Sequence, residues 1–225
     1  GYPRYQTVHG MSLFDALPGW LRRAAAGPWW DLLPGALRED SLIRRLQFRM
    51  QILREPLERR YVHWVAGFLD EQRRALYTQG LADHLDGTAP TWFLAEAMDR
   101  CRNRPAGRRA MLTDLQTYLP GDLLAKVDIT SMAHGLECRC PLLDQELVEL
   151  AISIPYHRLK NDGSPKPLLT STLPEFFPPA LRRRAKMGFR IPLDDWFRGR
   201  WRDWVGEVLL SPAALGRGYF RAEPL

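Results

Sequence analysis

The chain has 225 residues, 45% of them hydrophobic, which is enough to bury the core of one large domain or two small ones. No apolar run approaches the roughly 18 residues of a membrane-spanning helix, and the first twenty positions show no basic start followed by an apolar stretch, so the reading is of a soluble, cytoplasmic protein. A net charge of +6 and a pI near 9.5 point to an anionic partner, for which nucleic acid, nucleotide and phosphate all qualify.

The opening GYPRYQTVHG, with Pro3 in it, reads as a loop. Pro and Gly punctuation around WWDLL then suggests short helices and turns. From Asp40 the pattern firms: Leu42, Ile43, Leu46, Met50 and Leu53 share a helical face, Pro56 interrupts, and Leu57, Tyr61, Trp64, Val65 and Phe68 resume the spacing. Further helices are expected around residues 72–85 and 91–100. Another, RRAMLTDLQTYL, carries Leu112, Leu115 and Leu119 before Pro120 ends it. Asp122 is placed to cap a sixth helix with Leu124, Val127 and Met132 facing inward and an Asp122–Lys126 pair outside, closed by Gly135. After the extended GLECRCPLL, Asp144 sits at an N-cap position, followed by Leu147, Leu150, Ala151 and Ile154 at helical spacing. A polar turn KNDGSPK, a short helix KPLLTSTL, a Pro-rich FFPPAL and the basic, then amphipathic RRRAKMGFRIPLDDWFRGRWRDWV complete a mainly α chain.

Three cysteines, Cys101, Cys138 and Cys140, make an odd number and fit reduced thiols. Alternation turns the last two the same way. No metal is expected, because C-x-C lacks a second ligand pair and the five histidines are scattered.

Glu137 and Arg139, two apart on one extended segment, share a face. One reading is a structural ion pair, whose loss when buried costs about 3 to 5 kcal/mol. The other is a desolvated carboxylate tuned as a base, with Glu137, Arg139 and Asp144 brought together between two helix ends. A second cluster is basic: Lys166 in NDGSPK and Lys186 before Gly188, with Arg182, Arg183, Arg184 and Arg190 nearby. Loops with Lys beside Gly can close over phosphates; the plain alternatives are a solvated basic loop or a nucleic-acid patch. A nucleic-acid reader would want a basic stripe with exposed aromatics or a known motif, and the chain has neither an RNP-like run nor zinc-finger spacing. The 225 residues also contain no glycine-rich phosphate cradle, neither G-x-x-x-x-G-K-[ST] nor G-x-G-x-x-G.

The run YLPGDLLAKVDITSMAHGLECRCPLLD, from Tyr118 to Asp144, resembles the C-terminal half of the synthetase domain of glutamine-hydrolysing asparagine synthetases. The resemblance continues through the G-x-x-K turn ending at Lys166, through Lys186-x-Gly188-Phe189 and Pro192-Leu193-x-x-Trp196, and back to GYPRY. It implies the helical C-terminal portion of an α/β adenine-nucleotide α-hydrolase-like (ATP-pyrophosphatase) domain, with the parallel sheet and phosphate loop upstream. Residues 1–225 are then part of one domain: 1–110 helical and weakly matched, 111–200 motif-bearing, 201–225 a C-terminal tail. The implied reaction uses ATP with Mg2+ to activate aspartate as aspartyl-AMP, releasing pyrophosphate, and glutamine-derived ammonia then displaces AMP. Glu137 is implied as the base for the incoming nitrogen and Lys186 as the contact to pyrophosphate and developing charge. Lys166 is implied to hold pyrophosphate, while Arg139 orients Glu137 and Asp144 caps the next helix. Glu137, Lys166 and Lys186 are expected to converge on one cleft.

The family's S-G-G-x-D-S loop and its glutaminase domain are absent from these residues, Ile129 stands where the family usually has arginine, and Cys138 and Cys140 replace other small or apolar residues. The chain alone is therefore expected neither to hydrolyse glutamine nor to adenylate aspartate. Relatives that amidate other carboxylates or close β-lactams, and a non-catalytic helical interaction domain, are the alternative readings. Neither nucleic acid nor membrane is an expected partner.

Overall fold

The computed structural model describes residues 2–32, 42–85, 87–159, 166–179 and 191–223. Helices follow one another throughout: α1 (Pro3–Phe14), α2 (Gly19–Ala25), α3 (Leu42–Arg54), α4 (Leu57–Val65), α5 (Asp70–Leu76), α6 (Gln79–His84), α7 (Trp92–Arg100) and α8 (Ala106–Gln116). Then come α9 (Ala125–Met132), α10 (Gln145–Ser153), α11 (Tyr156–Leu159), α12 (Pro167–Thr172), α13 (Leu193–Arg198), α14 (Arg202–Leu209) and α15 (Pro212–Leu215). Among the described residues the sole β pairing is a single bridge, Tyr77 to Phe220. The chain is mainly helical, as its periodicity indicated.

Two compact units divide it, one of residues 1–65 and 93–184 and the other of residues 66–92 and 185–225. The larger unit is built on α1, which packs along α8 and against α4. The opening stretch, expected as a loop, is thus a twelve-residue helix. Pro3 starts it instead of breaking it, because the first helical turn has no use for that N–H. Tyr5 and Val8 of α1 then join Tyr61, Leu94, Met98, Ala106 and Ala110 in the core.

The face that α8 buries also differs from expectation. Leu112 and Leu115 are half-buried and lie outside the core, and Ala106, Gly107, Ala110, Thr113 and Asp114 are among the buried positions. Small residues on that face let large rings from elsewhere come close. A Cβ on Gly107 would collide with the Tyr156 ring and its hydroxyl, so that ring occupies the space that a side chain would take. Tyr156 Oη donates to the Tyr5 carbonyl (3.2 Å), tying α11 to α1.

Arg60 of α4 is buried and holds the ends of two other helices. It donates to Asp15 just past α1 (2.6 and 2.8 Å) and to the Met11 carbonyl (3.2 Å). It also donates to the Leu53 and Glu55 carbonyls at the end of α3 (2.9 and 2.7 Å). A buried guanidinium has five donors to satisfy, and helix ends supply the spare acceptors.

Pro120 does not stop the chain's helical path. A π-helical turn over Leu119–Leu124 carries it from Tyr118 into α9, so Asp122 lies inside the helical run and caps nothing. Its expected pair with Lys126 is present at 3.1 Å. Gly135 closes the helix with φ +68°, and the Leu136 N–H returns to the Ser131 carbonyl. Val127 and Met132, expected to face inward, are exposed, and α9 and α10 contain no buried residue. In the smaller unit, the helix expected over 72–85 is two helices, divided at Tyr77, with Thr78 capping α6 through Leu81 N.

Candidate functional site

Tyr5, on the floor of the site, is held by one buried carboxylate. Asp114 is buried on α8 and accepts from Tyr5 Oη (2.5 Å), from Tyr61 Oη and from the Arg4 guanidinium, whose Nε lies at 3.1 Å. Burial first, and then the adjacent Asp114 charge and hydrogen bond, push both phenols well above the ordinary tyrosine value. For Arg4, burial works against the charged form, yet the ion pair with Asp114 outweighs it and the guanidinium is held above its usual value. The same guanidinium lies over the rings of Tyr2 (4.6 Å) and Tyr118 (4.8 Å). GYPRY and the YLP run, separated by more than a hundred positions, therefore meet at one buried carboxylate.

The sequence marks Tyr61 only as part of a helical face and Arg4 only within GYPRY, and it gives Asp114 no role. The signal was a carboxylate four residues from Ala110 and four from Tyr118 on the inner face of a helix, a position that demands a partner.

Above this floor opens a groove of about 270 Å³, mostly apolar, whose walls include Tyr2, Tyr5, Met111, Leu142, Tyr156 and Lys166. Lys166 stands just ahead of α12 in a left-handed conformation, φ +53° and ψ +56°, which is costly for a residue with a Cβ. No described carboxylate pairs with its ammonium, and none lines the groove. An anion therefore fits there better than a cation.

Leu142 ties the groove to the segment after α9. On that segment Arg139 Nε donates to Glu137 Oε1 at 2.8 Å, so the two side chains share a side as expected. Their exposure decides between energies: Glu137 is 68% and Arg139 84% accessible, and an exposed pair is worth about 0.2 to 1 kcal/mol, not the several of a buried one. The described residues do not supply the desolvation that a tuned carboxylate base requires. Asp144 follows as the N-cap of α10, accepting from the Leu147 N–H at 3.2 Å. Glu137, Arg139 and Asp144 thus sit on one short connection between α9 and α10, and Lys166 stands at the groove that Leu142 also lines. Lys186 lies outside the described residues.

A divalent cation finds no group of three or more His, Cys, Asp or Glu side chains among the described residues that could hold it.

The sequence model of the asparagine synthase family matches residues 1–225. A putative glutamine-hydrolysing asparagine synthetase of Mycobacterium tuberculosis is 32% identical over 217 residues, 95% of this chain and 31% of the relative. The corresponding Mycobacterium bovis protein matches equally, and glutamine-hydrolysing asparagine synthetase 1 of Bacillus subtilis is 26% identical over 216 residues, 93% of this chain and 31% of its own. No solved structure matches the chain. The chain belongs to the asparagine synthase family. It spans about a third of the length of the curated relatives it matches.

Proposed function

We propose that the chain forms part of an ATP-dependent, glutamine-hydrolysing asparagine synthetase and carries the groups that receive the activated acid. In this reading the side-chain carboxylate of aspartate attacks the α-phosphate of ATP, pyrophosphate leaves, and ammonia attacks the resulting acyl carbon of aspartyl-AMP and displaces AMP. Glu137 accepts the proton that the ammonia nitrogen loses as the C–N bond forms. Arg139 keeps that carboxylate aimed, and Asp144 fixes the start of α10 so that the connection keeps its path. Lys166 neutralises pyrophosphate, a role supported by its strained backbone and its lack of a described acidic partner. Lys186 is assigned to the charge developing on the α-phosphate. Ammonia production and the phosphate loop for ATP are supplied from outside these 225 residues, which contain neither set of motifs. A cytoplasmic setting accords with three free thiols.

The observation that supports the reading is that one short connection carries the Glu137–Arg139 pair, the Asp144 cap and Leu142, which lines the same groove as Lys166. Its test is Glu137→Gln in the full-length synthetase, with the two half-reactions followed separately. Aspartate-dependent pyrophosphate exchange is expected to persist, and amide formation to fall by about 10² to 10⁴, the usual contribution of a positioned base. Amide formation at the parental rate would remove Glu137 from the role. The chain alone is expected to show no aspartate-dependent exchange.

A further inference from the structure

Cys138 and Cys140 are free and exposed, and they bracket Arg139. The alternation that lets Glu137 and Arg139 meet puts the two thiols together on the opposite side of the backbone. Two residues apart along an extended chain, Cα atoms are separated by about 6.4 to 6.8 Å. That is the upper edge of what a disulfide spans, the preferred separation being about 5.5 to 6 Å. Closure therefore needs the backbone to bend at Arg139. It is free to do so, because among the described residues no backbone hydrogen bond ties Glu137, Cys138 or Arg139 to the rest of the chain.

We propose that Cys138 and Cys140 form a thiol–disulfide modification site whose closure breaks the Glu137–Arg139 ion pair. The oxidant class is a small-molecule disulfide such as glutathione disulfide. One protein thiol, losing its proton, attacks that disulfide and releases one glutathione thiol, leaving a mixed disulfide. The second thiol loses its proton and attacks the protein-side sulfur, forming the Cys138–Cys140 bond and releasing the second glutathione. The protein gives up two hydrogens with their electrons, and the glutathione disulfide takes them up. The ion pair wants the segment extended and the disulfide wants it contracted, so each state penalises the other, and the coupling is reciprocal.

The test requires no substrate and so stands apart from the ligase reading. A Cys101→Ser chain is equilibrated across glutathione ratios, with intact mass and peptide mapping as the readout. Loss of two hydrogens and a linked 138–140 peptide are expected. Glu137→Gln, which removes the pair, should raise the equilibrium constant for ring closure by up to about fivefold, the worth of an exposed ion pair, and high salt should erase that difference. Glu146→Gln should leave the constant unchanged. Mixed disulfides or disulfide-linked dimers without ring closure would overturn the site. Closure with the same constant in the parent and in Glu137→Gln would overturn the coupling.

Discussion

Asp114 does more to organise this protein than any residue its motifs advertise. A buried carboxylate is tolerated because one guanidinium and two phenols bond to it, and leaving it without them would strand an uncompensated charge. Its influence shows in the alkaline response. Folding keeps Tyr5 and Tyr61 protonated at a pH where the unfolded chain, with phenols near 10.0, has released both protons. The unfolded state then binds fewer protons, so stability is complete below pH 10.0 and falls as pH rises above it, by about 1.4 kcal/mol per pH unit for each phenol. Urea titrations across the alkaline range should show this slope, and Tyr61→Phe should reduce it by about half. A slope that is the same in parent and variant would deny Tyr61 its part.

At the level of elements, close approach and capping set the positions of α8, α10 and α11. Gly107→Ala on α8 drives a methyl group into the Tyr156 ring, at the overpacking cost of about 1 to 3 kcal/mol. A second change, Tyr156→Ala, should relieve the clash, so that in the Tyr156→Ala background the Gly107→Ala substitution carries no further cost; denaturant midpoints of the four combinations measure this. For α10, Asp144→Ala removes the N-cap at a cost of about 1 kcal/mol, while Asp144→Asn keeps most of it. Amide exchange at Leu147 and Val148 should quicken roughly fivefold in the alanine variant only. How far these elements were legible depended on the local signal. Asp144 announced itself because a cap is a short-range device, with side chain and partner N–H three residues apart. Helix α1 departs from the expected loop because Pro3 marks a helix start or a loop equally well, and what decides is the burial of Tyr5 and Val8 against residues beyond position 60. The Glu137–Arg139 pair was legible from alternation, but its exposure was not, since exposure depends on what packs over the segment.

Across the whole molecule, burial is uneven. The main core cluster lies on α1, α4, α7 and α8, whereas α9 and α10 bury none and leave Ile129 68% and Leu150 60% accessible. Hydrogen exchange should map that contrast: the amides of Val8, Tyr61, Met98 and Ala110 exchange slowest, and those within Val127–Met132 and Leu147–Ser153 orders of magnitude faster. Equal protection in both sets would mean that the apolar faces of α9 and α10 are covered in solution.

By itself the sequence determined the mainly helical character, the positions of most helices, the Asp144 cap, the pairing of Glu137 with Arg139 and the family resemblance. All of these rest on interactions between residues a few positions apart, or on motifs read as strings. Only the tertiary structure decided that Arg4, Tyr5, Tyr61 and Asp114 share one buried cluster, that α8 buries its small and polar face, and that Lys166 and Leu142 line one groove. Those facts depend on which distant helices meet, and a local pattern carries no term for a partner a hundred residues away.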